Sequence, residues 1–191
     1  MDKDRPVLPQ PVEPKSQPDS GSWVGAALRD MVGTIVPAIV IALLIHLFLA
    51  QATRVYGQSM EPNLHTNERL VIEKISYHVH GPRRGDVVVL RDPAGSPELL
   101  IKRVVGLPGE RVTLADGRVY VDGTPIDEPY LDQPTNGSGR SWVVPPFHVF
   151  VMGDNRSASR DSRIFGAVPM EELVGRALFR YWPLEELGIV D

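Results

Sequence analysis

Two residues in this chain have surroundings that suggest chemistry. A serine stands in Gly57-Gln58-Ser59-Met60-Glu61-Pro62, shortly after a long apolar segment. A lysine stands in Leu100-Ile101-Lys102-Arg103-Val104-Val105-Gly106, inside a strand-like apolar run. In strand periodicity Leu100, Lys102 and Val104 share one face, and Ile101, Arg103 and Val105 share the other. Lys102 therefore points with apolar neighbours. Burying an ammonium is expensive, because desolvation disfavours the charged form. A neutral amine can take the proton of a serine hydroxyl and so make a nucleophile. Ser–Lys is one of the variants of the serine-nucleophile arrangement. The plain alternative is a strand lysine with its stem on apolar surface and its head in water.

Few other bases compete for Ser59. The chain has four lysines, and Lys3 and Lys15 precede the apolar segment. Lys74 closes Leu70-Val71-Ile72-Glu73-Lys74 beside an acid, the setting of a solvated charge. His148, between Pro146-Phe147 and Val149-Phe150, suits core packing or a strand start better than base catalysis. The serine motif is not a G-x-S-x-G elbow. The absence of cysteine removes a thiol nucleophile, a disulfide framework and thiolate metal sites together. His78 and His80 share a face of a possible strand, but a solvated hairpin before Gly81-Pro82 accounts for them better than a metal does. A net charge of −4 argues against nucleic acid as a partner. No cofactor or metal is expected.

These residues need elements to position them. Residues 1–22 hold five prolines and seven charged residues and no aromatic, which predicts a disordered tail. Residues 31–53 carry no Asp, Glu, Lys or Arg, long enough for one helix to cross a bilayer. This predicts an anchor over residues 30–52. A cleavable leader is the rival reading, because Ala50-Gln51-Ala52 is a small-x-small site. Flanking charge is balanced, Lys15 and Arg29 against Arg54 and Arg69, so it sets no orientation. From residue 53 onward the chain reads as one β-rich domain. Strands are predicted over residues 70–75, 86–91, 99–105, 111–114, 118–121, 148–152 and 173–181. Asp116-Gly117 and Asp122-Gly123 are tight-turn signals. Residues 132–146, rich in Pro, Gly, Asn and Ser, read as a surface loop. Trp142 and Tyr181-Trp182 fit either interfacial anchors or core aromatics.

A third cluster gives the first two a context. Residues 152–166 read Met-Gly-Asp-Asn-Arg-Ser-Ala-Ser-Arg-Asp-Ser-Arg-Ile-Phe-Gly. Taken in order with the apolar segment, Ser59-Met60, Arg69-Leu70-Val71, Arg84-Gly85-Asp86-Val87-Val88 and Lys102 to Gly109, the chain resembles the bacterial type I signal peptidases. These are membrane-anchored Ser–Lys proteases of the S26 family. The resemblance covers residues 30 to 182.

It implies a single transmembrane helix followed by an antiparallel, barrel-like β domain. It implies a cytoplasmic N-terminus and an extracytoplasmic catalytic domain on the cell membrane. The substrates would be signal peptides of exported preproteins, cut after small residues at −1 and −3 through an acyl-enzyme. Ser59 matches the nucleophile and Lys102 the general base. Ser159 matches a serine that holds the amine. Asp161, with Arg163 or Arg103, matches a supporting ion-pair network. Val55, Met60, Leu64, Leu100 and Ile101 match the substrate pocket. Many members carry a serine for the oxyanion where this chain has Gly57; the backbone N–H of Ser59 remains. The short segment between Lys102 and Asn155 implies a compact version without a large second domain. Two other readings compete: a self-cleaving repressor-type Ser–Lys protease, and a non-enzymatic anchored β domain that binds envelope partners.

Overall fold

The computed structural model describes residues 20–44 and 50–190. The expected tail up to residue 19, and residues 45–49 of the expected anchor, lie outside these. The described part falls into two units, a helix and a β domain.

The helix, α1, runs Ser20–Leu44 and so takes in residues 20–22, which the sequence assigns to the tail. Among the described residues no helix is long and apolar enough to cross a membrane. The far end of the expected anchor is a strand. β1 (Ala50–Arg54) pairs antiparallel with β2 (Arg69–Glu73), from Ala50 opposite Glu73 to Arg54 opposite Arg69. An anchor helix through residue 52 is therefore a misreading. The edge of β2 offers five residues a full backbone ladder, and lack of charge alone does not separate that from helix.

The β domain contains an eight-stranded sheet. Its other strands are β3 (Val87–Arg91), β4 (Leu99–Gly106), β9 (His148–Met152), β10 (Val168–Pro169), β11 (Leu173–Trp182) and β12 (Gly188–Ile189). The order is β1-β2-β11-β3-β4-β9-β10, with β12 on β11, all antiparallel. Val87 to Leu90 of β3 are all buried, as befits a central strand covered on both faces. A second sheet holds β5 (Arg111–Ala115), β6 (Arg118–Val121), β7 (Thr124–Pro125) and β8 (Arg140–Val143) in the order β7-β6-β5-β8. Asp116 and Gly117, both at positive φ, make the two-residue turn between β5 and β6. β8 corrects the loop reading of residues 132–146. It is short and mostly exposed, so it lacks the apolar alternation that marks a strand. Two four-residue helices, α2 (Ser76–Val79) and α3 (Ser162–Phe165), complete the domain.

Three apolar clusters hold these layers together. One packs Val55, Met60 and Leu64 against Leu70, Ile72, Val87 and Val89. A second joins the smaller sheet to Phe150 and Met152. The third lies around Val88, Val104, Val151 and Val168. The segment that carries Ser59 is thus fixed from below by its own neighbours.

Candidate active site

Ser59 sits in the turn that follows β1. Glu61 N–H donates to Gln58 C=O at 3.2 Å and Leu64 N–H to Met60 C=O at 2.9 Å. Gly57 has φ +83°, a conformation that favours glycine. Asn155 N–H donates to the Ser59 carbonyl at 3.0 Å, which ties this turn to the chain after β9.

Lys102 lies in β4 opposite Val88 of β3 and is 3% exposed. Its amine donates 2.8 Å to Ser59 Oγ and 2.7 Å to its neighbour's carbonyl, Ile101 O. Burial pulls the amine down from 10.5 to about 8. Asp161 opposes that shift, Arg160 reinforces it, and Asp154 and Asp92 oppose it more weakly. A lysine in this state loses its proton far more readily than a solvated one.

The supporting residues divide into two ion pairs. Asp161 is fully buried and bound by Arg163 at 2.8 Å through each carboxylate oxygen, and it caps α3. Burial works to raise the Asp161 carboxyl, but the Arg163 guanidinium and the Gly153 N–H, 3.0 Å away, hold it below its usual range. Arg103 belongs to the other pair. It binds Asp154 through Nε at 2.9 Å and Nη2 at 2.7 Å, and its guanidinium stacks 4.0 Å from the Tyr130 ring. Of the two arginines proposed for Asp161, only Arg163 reaches it. Asp154 also accepts from Asn63 at 2.8 Å, so it braces the serine turn against β4.

Ser159 Oγ is buried and is not among the contacts of the Lys102 amine; it acts on Asp161, whose carboxyl it helps to hold down. It lies against Gly153, where a Cβ would stand 2.2 Å from Ser159 Oγ and 2.4 Å from the Ser59 carbonyl oxygen. Gly153 is thus a site residue that sequence reasoning missed. Its signal in the sequence is its place at the head of Gly153-Asp154-Asn155-Arg156 in the third cluster. His148 begins β9, half-buried, with Nδ1 2.8 Å from Pro146 O. His80 Nδ1 is 2.9 Å from Gly81 O, and the His78 side chain lies outside the described residues.

A cleft of 590 Å³ opens beside Ser59 and Lys102. Leu100 and Ile101 line it, together with Ala52, Thr53, Arg54, Tyr56, Val89, Glu98 and Leu99. Val55, Met60 and Leu64 do not. They are at most 2% exposed and belong to the core beneath it, because the turn points them at Leu70 and Ile72. Two strand edges border the cleft. β1 ends the larger sheet, and β9 takes the outer edge of β4 only from Arg103 onward. Residues Leu99 to Lys102 therefore keep an open edge.

The family model for the signal peptidases, peptidase S26, matches residues 28–182. This chain belongs to the S26 signal peptidase family. It is a peptidase of the signal peptidase I class. The signal peptidase I of Leptolyngbya laminosa is 40% identical over 188 residues, covering 94% of this chain and 93% of that one. The signal peptidase I of Bacillus caldolyticus is 36% identical, covering 79% and 90%. Among solved structures, a signal peptidase I from Enterococcus faecalis is 31% identical, covers 50% of this chain and 95% of its own, and has a TM-score of 0.44. The repressor-type and non-enzymatic readings fall with this membership.

Proposed function

We propose that this signal peptidase is a membrane-anchored serine endopeptidase that works through a Ser59–Lys102 dyad. It removes signal peptides from exported preproteins after small residues at −1 and −3. The observation that carries this reading is the 2.8 Å contact between a buried, easily deprotonated amine and a serine hydroxyl beside an open cleft. Ser59 Oγ attacks the scissile carbonyl while its proton passes to Lys102 Nζ. The ammonium gives that proton to the departing amine, leaving an acyl-enzyme. Water then attacks the ester, Nζ takes the water proton, and Ser59 leaves as the hydroxyl. The Ser59 N–H has no partner among the described residues, which leaves it for the oxyanion. Gly57 brings its backbone close without a side chain. Arg163–Asp161 and Arg103–Asp154 position the two catalytic segments.

The substrate enters as an extended strand between the open edges of β1 and β4, in the manner of β-strand addition. Ala52, Leu100 and Ile101 leave shallow room there for small side chains. The anchor lies in the charge-free run from Met31. Met31, Ile35, Val36, Ile39 and Ile41 expose roughly half their surface around α1, a distribution suited to lipid. In this reading the N-terminus is cytoplasmic and the catalytic domain extracytoplasmic.

The test is incubation of the full-length protein in detergent with a preprotein carrying alanine at −1 and −3, followed by sequencing of the new N-terminus. Ser59→Ala is expected to be inactive with unchanged unfolding, and Lys102→Arg to be inactive, because arginine is not deprotonated in proteins. Substantial processing by Lys102→Arg would overturn the dyad.

A further inference from the structure

We infer that Glu98 reads the charge of the substrate about five residues before the scissile bond, favouring a basic side chain and disfavouring an acidic one. This rests on the proposed entry of the substrate between β1 and β4. The open edge of β4 runs from Leu99 to Lys102, and Glu98 stands at its upstream limit. Glu98 N–H is turned away toward Ser96 Oγ at 3.3 Å, so the ladder available to a substrate stops at Leu99. The Glu98 side chain lines the cleft, is exposed, and has no ion-pair or hydrogen-bond partner among the described residues.

The other charged groups in the cleft wall are already engaged. Lys102 holds Ser59 Oγ. Arg54 donates to Asn67 Oδ1 at 2.7 Å and stacks 5.5 Å from the Tyr56 ring. Glu98 is therefore the uncommitted charge in this wall.

Register assigns its partner. A strand rises about 3.3 Å per residue, so the four steps from Lys102 to Glu98 span about 13 Å. A substrate strand alongside advances at the same rate. For a substrate strand that enters parallel to β4, with residue −1 beside the Lys102 amine, residue −5 faces Glu98. The small side chains required at −1 and −3 place the upstream half of the substrate in this cleft. The contact is the same in the bound and the transition state, so it acts on KM and leaves kcat alone.

The experiment uses the full-length protein in detergent and two peptides that differ only by Lys or Glu at −5. The same swap three residues after the bond serves as control. Exposed ion pairs are worth about a two- to fivefold change. The wild type is expected to prefer lysine at −5 by about that factor in kcat/KM, carried by KM. The preference should fade toward 1 M salt, where charges are screened within about 3 Å. Glu98→Gln should abolish it and Glu98→Lys should invert it. An equal ratio in wild type and Glu98→Gln overturns the assignment and leaves the protease reading intact. Binding of both peptides to Ser59→Ala separates the two: a lysine preference there, with no cleavage by the wild type, upholds the subsite and sinks the protease reading.

Discussion

In the proposed dyad, Lys102 couples both turnover and stability to pH. Its side chain is buried, and the amine is pulled from 10.5 to about 8 by that burial. At 1.36 kcal/mol per unit the gap amounts to about 3 kcal/mol. Because the folded value lies below the unfolded one, the unfolded chain binds more protons between pH 8 and 10.5. Stability therefore rises with pH across that window, and the cost is present in full below pH 8. Lys102→Met removes the titration. Its stability relative to wild type should fall by about 2 to 3 kcal/mol between pH 7 and pH 10, measured by urea unfolding. Tyr77 and Tyr130, whose hydroxyls burial pushes up, are common to both proteins and cancel. In the proposed dyad the same amine governs turnover. About a tenth of it is neutral at pH 7, so kcat/KM on one peptide should climb about tenfold from pH 6 to pH 7 and level off above pH 8. A flat kcat/KM from pH 6 to 9, or a Lys102→Met difference that ignores pH, would refute the reasoning.

Gly153→Ala drives a Cβ against the Ser59 carbonyl and Ser159 Oγ, and the carbonyl cannot turn aside. It should cost about 1 to 3 kcal/mol in thermal unfolding and lower kcat/KM sharply. Asp154→Asn leaves the buried Arg103 guanidinium without its carboxylate; urea unfolding should register a loss of about 3 to 5 kcal/mol. Phe147 holds φ +61° and is 79% exposed, a strained backbone supporting little packing. Phe147→Gly should stabilise the protein by up to about 1 kcal/mol, read as a rise in Tm.

Lys102 stood out because an ammonium in an apolar strand needs a reason, and desolvation supplies the same reason in the folded domain. Seven strands were readable because alternation and turn glycines are local signals. β1, β8 and the two-residue β7, β10 and β12 were not, since a strand with little apolar pattern of its own is defined by its partner's edge. Reading Ala50–Ala52 as membrane helix hid one wall of the cleft, and with it Arg54 and Tyr56.

The order of the motifs, the chemistry available to them and the family to which they belong follow from residue types and their spacing along the chain. The tertiary structure decided which side chains meet. Arg103 and Arg163 were interchangeable partners for Asp161 on paper, because both are cations in the right segments. Only the pairing of β4 with β9 commits Arg103 to Asp154 and leaves Asp161 to Arg163. Val55, Met60 and Leu64 looked like pocket residues by position and became core, because burial depends on which way a turn faces. Gly153 and Glu98 gained meaning only in space. One is a close approach between three segments, and the other is the end of an open strand edge. Neither property is a feature of a residue's neighbours in the chain.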